Sequence, residues 1–472
     1  MALIKTGRRP PSQVSTTRVI MSAPHSSAAR THRTTSWGSH SGGPNTANSG
    51  SIVTLRNRSR QAERNDPWIA NALKSLTSNE IGTGIIPRPQ ISDDKLREDL
   101  INYWDVFSAE CDPEGVLDIY GKQRQIAFNR RLSGEVFIRR RRRSVLSGLS
   151  VPLQIQVLEA DHVPIGHNRA LKNGRFIMDG IEFNRRGARL AYWMHANHPG
   201  DGKVGGRLIR VPAADVIHHY NPSRPGAVRG VPDSSKSLLR AHDYDSYNDS
   251  EMRRKSTRSG YAGFLYREIM QGDQLYDPIT GVYTGDGPEP PPTEIQGGDI
   301  LTGVPGEKLD LFDGDNTGQG YAEFQRLKKM EISAGLGIPY ELMSGDYSGL
   351  NDRLVRAIQN QFFRAIEADQ EHLAIFQVCR KIFSWFADSL SLVDRRFFEF
   401  ASNKNELMAT LWWPQAWRHL HPVQDIAAKK LKIEAGLSSR QTEAARDNID
   451  IEVIDKQRAE DDARAGKNKL IE

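Results

Sequence analysis

Helical periodicity is strongest between Gly320 and Phe386. Apolar side chains recur there at steps of three or four residues in two separate stretches, which predicts two amphipathic helices. Gly337 and Pro339 separate them, because glycine favours a left-handed helix cap and proline disfavours α-helical geometry in the residue before it. The second helix would extend over about 50 Å, which is longer than one small core needs and indicates a large assembly. The break is followed by polar residues that predict a loop: Ser344, Gly345, Asp346, Tyr347, Ser348, Gly349, Leu350 and Asn351.

The N-terminal half shows two further patterns. Asp66 directly precedes Pro67, a combination that is typical of a helix start. Helical spacing of apolar residues predicts two more helices, at about 92–110 and 116–133. In residues 151–232, short runs alternate between apolar and polar side chains, which predicts an antiparallel sheet.

The segment from Asp233 to about Gln271 predicts a long helix that is polar on nearly every side. Such a helix is expected between subunits or along a solvent-filled space. Residues 272–319 combine turns, short strands and a proline run, and they predict a small β-containing head. Beyond the long central helix, tryptophans at 412–417 predict an aromatic turn, and helices broken at Gly436 complete the chain.

Charge adds a possible partner but does not identify it. The formal net charge is +6 over 472 residues, and arginine is concentrated in the N-terminal half. A polyanion such as nucleic acid and an ordinary basic surface fit this equally well. Residues 1–51 lack apolar periodicity and predict a flexible basic arm. Arg139–Arg143 follow a predicted strand, where neighbouring side chains point to opposite faces. We therefore favour a solvated or inter-subunit salt-bridging strand end over nucleic-acid contact.

Candidate chemistry is sparse. Cys111 and Cys379 are the only cysteines, which argues against a disulfide framework and fits a reducing compartment. No run of ~18 apolar residues and no secretory signal stand in the sequence. We also find no nucleophile elbow, zinc-protease motif, Walker sequence or dinucleotide-binding fingerprint. We therefore expect no catalytic site and no cofactor.

Four histidines, at positions 195, 198, 218 and 219, raise the hypothesis of a metal site. Pro199 and Gly200 follow the first pair and argue against the helix that would direct both rings at one ion. We therefore expect ordinary surface or core histidines and no metal. The glycine-rich stretch at 200–206 lacks phosphate-loop spacing and predicts the tip of a hairpin.

Several segments resemble the lambda-type portal proteins of tailed bacteriophages. The most specific is Ile332–Glu341, which reads Ile-Ser-Ala-Gly-Leu-Gly-Ile-Pro-Tyr-Glu. The resemblance covers about Ile52 to Asp462. It departs from the family pattern at Asn351–Arg356, where many relatives carry Asn-Tyr-Ser-Ser-x-Arg. Other similar segments are 64–67, 81–84, 134–137, 158–161, 305–307, 421–425 and 436–440.

The resemblance implies an α+β portal fold made of named parts. These parts are the N-terminal arm (1–51), wing (52–232), stem helix (233–271), clip (272–319), second stem helix (320–339), tunnel loop (340–352), long wing helix (353–400) and helical crown with its tail (401–472).

The resemblance also implies a ring, usually of twelve protomers, at one capsid vertex of a virion that assembles in the host bacterial cytoplasm. Double-stranded DNA would pass through the ring without sequence-specific contact. The implied protein partners are the terminase large subunit, a head-completion adaptor, and the major capsid and scaffolding proteins, with no membrane. The candidate DNA-facing residues are Arg326, Lys328 and Lys329, and the candidate docking residues of the clip are Tyr276, Tyr283, Pro290, Pro291 and Glu307.

Two other functions compete with this hypothesis. The basic arm and the arginine run fit a nucleic-acid-binding protein that is not a portal, which would be a monomer or dimer with measurable affinity for duplex DNA. The histidines fit, less well, a metal-dependent hydrolase.

Overall fold

The computed structural model describes residues 41–201, 207–260, 263–267, 307–311, 320–417, 421–447, 449 and 451–469. Helices predominate, and the paired strands of these residues are antiparallel. This arrangement confirms the predicted α+β class. Within the described part of the chain, no helix is both long and apolar enough to cross a membrane.

Five helices and one short strand form the N-terminal part: α1 (Pro44–Ser49), α2 (Ile52–Asn65), α3 (Pro67–Ile81), β1 (Ile86–Arg88), α4 (Asp94–Glu110) and α5 (Ile119–Ser133). Asp66 caps α3 as predicted, since its Oδ1 accepts hydrogen bonds from the backbone N–H groups of Trp68 and Ile69 at 2.8 and 3.1 Å. The predicted arm is too long at its C-terminal end. Helix α1 lies inside it, and Asn45 hydrogen-bonds to the backbone of Gly226 and Val228.

Two antiparallel sheets follow, where the sequence predicted a single antiparallel sheet within residues 151–232. The first has three strands in the order β3-β2-β9, and the second has five in the order β4-β5-β6-β7-β8. The strands are β2 (Glu135–Arg142), β3 (Leu153–Glu159), β4 (Arg169–Ala170), β5 (Phe176–Met178), β6 (Ile181–Phe183), β7 (Arg189–Met194), β8 (Ile209–Pro212) and β9 (Val216–Tyr220). Part of the glycine-rich stretch 200–206 lies outside the described residues, and the strands β7 and β8 on either side of it pair antiparallel.

Strand β2 lies at the centre of the fold because both of its faces are buried. Val136 and Ile138 belong to a core that includes Trp104 of α4 and residues of the C-terminal half. Phe137 points the other way, into a core shared with the five-stranded sheet. The alternation of side chains along a strand thus joins the helical part to the second sheet.

A buried carboxylate holds this region together. Glu135, at the start of β2, is fully buried and forms ion pairs with Arg56 of α2 at 2.8 Å and with Arg229 at 2.6 Å. Nε2 of His218 lies 2.9 Å from the same carboxylate. Burial alone would raise the pKa of Glu135, but Arg229 and His218 more than offset this and lower it.

The run Arg139–Arg143 forms ion pairs within the chain. Arg140 pairs with Asp388 at 3.2 Å, and Arg142 pairs with Asp215 at 2.9 Å. The strand end therefore forms salt bridges, as one of the two interpretations predicted. For these two arginines, however, the partners belong to the same subunit.

After a 3₁₀ turn at Asp233–Lys236 come α6 (Leu238–Gly260), β10 (Gly263–Arg267), β11 (Glu307–Leu311) and α7 (Tyr321–Leu336). The predicted helix to Gln271 is too long, because residues 263–267 pair as a strand with 307–311. Local periodicity cannot reveal a pairing between segments so far apart in sequence. Glu307 starts β11 opposite Arg267. Tyr276, Tyr283, Pro290 and Pro291 lie outside the described residues.

The long central helix is composite. It consists of α9 (Asp352–Asp369), a π-helix (Gln370–Cys379) and α10 (Arg380–Leu390). The predicted extension to about residue 400 is wrong, since the helix ends at Leu390. Regular α-helical spacing would place Phe376 on the apolar face, but its side chain is 63% exposed while Ala374 and Ile375 are buried. The wider turn of a π-helix shifts the register of the buried face.

The remaining elements are α8 (Tyr340–Ser344), between α7 and α9, and α11 (Phe398–Ser402), α12 (Lys404–Ala409), β12 (Leu411–Trp413), α13 (Pro422–Glu434), α14 (Arg440–Arg446) and α15 (Ile451–Lys469). The predicted aromatic turn is in part a strand, because β12 pairs with β1. Arg88 of β1 lies over the ring of Trp413 at 4.7 Å, so that the tryptophans fix this pairing.

Candidate functional site

Helices α6 and α7 form an antiparallel hairpin. At its base, Ser237 Oγ donates a hydrogen bond to the carbonyl of Ile332 at 2.8 Å. Further along, the Tyr244 hydroxyl donates to the side chain of Gln325. Near the far end of α6, the Lys255 ammonium lies 4.6 Å from the ring centroid of Tyr321. These contacts join the two helices along most of their length.

Gly335 permits the close approach at the base of this hairpin. A Cβ atom at this position would lie 2.2 Å from Ser237 Oγ, well inside van der Waals contact. The predicted helix break therefore contains two glycines with different roles. Gly335 is a helix–helix contact, whereas Gly337 caps α7 with a left-handed backbone at φ 73°.

The hairpin exposes large apolar side chains. Leu239 and Met252 of α6 are each 69% exposed, and Leu327 of α7 is 54% exposed. Isolated exposed apolar residues are common, but these three share one two-helix element. The hairpin therefore has apolar surface available for contact with another chain.

The predicted loop is closed by its own hydrogen bonds. Asp346 Oδ2 accepts a hydrogen bond from the Tyr340 hydroxyl at 2.9 Å, and Asp346 Oδ1 accepts one from the Ser348 backbone N–H at 3.0 Å. Hydrogen bonds from Ser348 and Tyr340 lower the pKa of Asp346 to about 2. The loop therefore carries a fixed negative charge at neutral pH.

The structure locates the rest of the loop as follows. Ser344 ends α8, and Gly345 follows with a left-handed backbone at φ 72°. Tyr347 is 47% exposed. Asn351 is the N-cap of α9, because its Oδ1 accepts a hydrogen bond from the Leu354 backbone N–H at 2.9 Å. Gly349 and Leu350 complete the stretch between the two helices.

The three predicted DNA-facing cations do not form one free row. Lys329 Nζ lies 4.3 Å from the ring centroid of Trp68, so that its side chain is directed to α3. Lys328 pairs with Glu331 at 3.2 Å on the surface of α7. Arg326 is exposed, and its guanidinium carbon lies 5.7 Å from the ring centroid of Tyr340. Arg326 thus contacts Tyr340, whose hydroxyl donates a hydrogen bond to Asp346 of the loop.

A second buried carboxylate, Glu80, connects the start of the α6–α7 hairpin to the end of α9. Glu80 of α3 is fully buried and contacts Arg131 at 2.6 Å and Arg130 at 3.0 Å. Arg131 also pairs with Asp233, just before α6, at 3.1 Å and with Asp369, at the end of α9, at 2.9 Å. Burial would raise the pKa of Glu80, but the two arginines lower it to about 2. One group of charges thus fixes the start of the hairpin and the end of α9.

Sequence reasoning missed this group entirely. The available signal was a carboxylate near the end of α3, at Glu80, and an arginine pair at the end of α5. Buried charges of opposite sign usually pair. Sequence spacing alone does not say which charges meet. The arginines lie between 50 residues (Arg130 and Glu80) and 238 residues (Arg131 and Asp369) from their acidic partners.

The four histidines do not meet at one site. His218 and His219 are adjacent on β9 and point to opposite faces, where His218 contacts Glu135 and His219 lies 3.0 Å from Gln377. Burial lowers the pKa of His218 to about 4 and that of His219 to about 3. Both are therefore neutral core residues at pH 7, as expected for the pair.

His198 lies beside two carboxylates, Glu159 and Asp161, with ligand atoms within 4.8 Å of one another. This trio has the donor types that a divalent cation accepts. However, Nη2 of Arg60 already lies 2.7 Å from Glu159 and 2.6 Å from Asp161. A metal ion would have to displace that guanidinium, so the arrangement is an ion-pair cluster. His195 does not contribute a ligand atom to it.

An exposed apolar hairpin, a closed acidic loop and buried ionic anchors are thus the main features of this site. Comparison with known proteins gives its family: residues 30–370 match the model of the phage portal protein, lambda family. The chain therefore belongs to the lambda family of phage portal proteins.

Individual relatives are distant. The portal proteins of Escherichia phages N15 and lambda are each 21% identical to the chain over 58% of its length and 56% of their own. The chain thus spans a little over half the length of these two relatives. A probable portal protein of Halomonas phage phiHAP-1 is 22% identical over 90% of the chain and 83% of that protein. A subunit of the neck of a native GTA particle, solved with C12 symmetry, aligns over 84% of the chain and 93% of its own, with 13% identity and a TM-score of 0.49.

Proposed function

We propose that the chain forms a closed ring, with twelve protomers as the expected number, around a channel for double-stranded DNA during packaging and ejection. In this arrangement α6 and α7 are the stem, residues 272–319 the clip, and residues 340–352 the tunnel loop. Residues 52–232 with the composite helix form the wing, and residues from 401 onward the crown. The observation that carries the proposal is the α6–α7 hairpin, whose exposed apolar side chains would be covered by the same hairpin of neighbouring copies.

The chemistry of the loop fits a channel through which DNA slides. The fixed negative charge of Asp346 repels phosphates, and its oxygens are already occupied by hydrogen bonds from Tyr340 and Ser348. A loop of this kind makes contact without strong adhesion, as non-specific and salt-sensitive DNA passage requires. Of the three stem cations, Arg326 is the best candidate for a phosphate contact, because it is exposed, whereas Lys328 and Lys329 are partly buried.

The partners follow from this role. The clip, including Glu307, would bind the terminase large subunit during packaging and a head-completion adaptor afterwards. The wing and crown would contact the major capsid and scaffolding proteins at one vertex of the virion, after assembly in the bacterial cytoplasm. ATP hydrolysis would belong to the terminase, so that the role of this chain is mechanical. Membership of the portal family supports each of these assignments.

Ring formation is tested by electron microscopy and mass photometry of the purified chain. We expect rings for the wild type and their loss in Leu327→Asp, which places a charge on the exposed side of the hairpin. Leu146→Asp is the matched control, since Leu146 is 94% exposed in a 3₁₀ turn outside the hairpin. Rings in both variants, or none in the wild type at high protein concentration, would contradict the proposal.

The loop is tested separately by replacing residues 346–350 with two glycines. Asn351 must be kept because it caps α9. We expect rings to form normally while DNA packaging or genome retention is impaired. Loss of ring assembly in this variant would show that the loop is a structural element of the ring and not a tunnel loop.

A further inference from the structure

The five-stranded sheet lies in a basic segment of the chain. Residues 165–212 contain nine Lys and Arg against three Asp and Glu, an excess of six that equals the formal net charge of the whole protein. Two of the three acidic residues, Asp179 and Glu182, are buried at 5% and 1% exposure. Because two of its three acidic residues are buried, the surface of this segment is strongly positive.

The two faces of this sheet differ in chemistry. Ile181, Tyr192 and Val211 are paired across the strands and belong to the core beneath the sheet. On the opposite face, Arg169, Ile177 and Glu182 are cross-strand neighbours on three adjacent strands. Arg210 is the cross-strand neighbour of Trp193. Because side chains alternate along each strand, the arginines lie on the outer face.

Glu182 holds two of these arginines in place. Its carboxylate accepts from Nε of Arg210 at 2.7 Å and from Nη1 of Arg175 at 3.3 Å. Hydrogen bonding from Arg210 lowers the pKa of Glu182, so that it stays ionised. The side chains of Arg175 and Arg210 remain 42% exposed. Their guanidinium groups are thus positioned on the outer face and still open to solvent.

Three more arginines on this surface, Arg169, Arg185 and Arg186, are exposed and have no acidic partner among the described residues. Arg185 and Arg186 form the turn between β6 and β7, next to the turn that ends at Arg175. From β4 to β8 the sheet spans four strand spacings, or about 19 Å. A surface of that width can contact phosphates on both sides of a DNA groove, since the major groove is about 12 Å wide.

We propose that the outer face of this sheet binds duplex DNA through its phosphates, at a site separate from the channel. Exposed guanidinium groups spread at strand spacing suit phosphate oxygens. The excess of positive charge on this segment favours a polyanion as the partner. The contact is independent of sequence and sensitive to salt. It does not depend on the proposed ring, because a single protomer carries the whole face.

The test uses DNA that cannot thread a channel. Relaxed, covalently closed circular duplex can bind only to an outer surface of a ring, and it binds a free protomer equally well. The variant is R169Q/R185Q/R186Q, whose side chains take no part in hydrogen bonds or ion pairs that hold the fold. The matched control is R58Q/R64Q/R124Q, which removes three exposed arginines of the helical part.

We expect the wild type and the control to bind the circle with the same salt dependence. Each phosphate contact contributes about 0.9 to the slope of log K against log salt, so that the sheet variant should lose about 2 to 3 from that slope and bind more weakly at low salt. Equal binding by the two triple variants would place the contact elsewhere and overturn the proposal. Failure of the wild type to bind circles at low salt would overturn it too. Particle images of the same samples report ring formation separately.

Discussion

Substitution of Glu135 by glutamine tests what holds the centre of the fold together. The change keeps the shape of the side chain and removes one buried negative charge. Five donor contacts converge on the two oxygens of Glu135, from Arg56, Arg229, His218 and the backbone N–H of Gly230. A glutamine offers one acceptor oxygen, and its NH₂ group would face donors.

The expected cost is large because the remaining charges are buried. The side chains of Arg56 and Arg229 are only 2% and 4% exposed, so that water cannot replace the lost carboxylate. Removing one partner from a buried ion pair costs about 3–5 kcal/mol. Arg229 keeps three carbonyl acceptors, those of Asp179, Ala160 and Val163, which limits the loss to that range.

Hydrogen–deuterium exchange of β2 measures this cost locally. A loss of 3–5 kcal/mol corresponds to roughly 10²- to 4 × 10³-fold faster exchange, because 1.4 kcal/mol is a factor of ten. Glu159→Gln is the control: it is the same substitution in an ion pair whose acid is 47% exposed, and it should cost less than about 1 kcal/mol. If Glu135→Gln accelerates exchange no more than the control, the buried charges around Glu135 do not stabilise the fold.

Three further predictions concern single groups. Gly335→Ala should separate the helices of the hairpin and lower the thermal midpoint, and Ser237→Ala in the same chain should restore part of the loss; no loss would mean that the close contact is unimportant. Burial lowers the pKa values of His218 and His219, so that on acidification the unfolded state binds protons before the folded state does. Each histidine should therefore reduce the free energy of unfolding by about 2 kcal/mol between pH 6.5 and 5. A thermal midpoint that does not fall over this pH range would contradict the prediction. Burial raises the pKa of both cysteines to about 12, so a maleimide should label them only after unfolding.

The elements with a local signal were predictable. Helix α3 was predicted because Asp66 and Pro67 define its start, and period-two alternation predicted antiparallel sheet within residues 151–232, although not its division into two sheets. The loop at 344–351 was found from its glycines and the proline before it. In each case the deciding residues are neighbours in the sequence, and their preferences are backbone preferences.

The misses depend on contacts between distant segments. Residues 263–267 form a strand because 307–311 lie beside them, and nothing within either segment reveals the other. Phe376 is exposed because the π-helix changes the rotation per residue, and a pattern read at 3.6 residues per turn cannot show that change. Both carboxylates at the centres of ionic networks, Glu80 and Glu135, were missed for the same reason: their partners come from several different elements.

The position of the loop follows from anchors at both of its ends. On one side, Gly335 packs on Ser237, and the side-chain amide of Asn71 donates to the Met343 carbonyl at 2.7 Å. On the other side, Asp369 pairs with Arg131 at 2.9 Å, within the network of Glu80 that also holds Asp233. Between these anchors, the hydrogen bonds at residues 345–350 are made mainly by Asp346 with its near neighbours. The loop can therefore change shape without loosening the hairpin or α9, because its contacts and theirs involve different residues. If the loop lines a DNA channel as proposed, this separation would let it yield to passing DNA while the buried charges of Glu80 and its arginines keep its supports fixed.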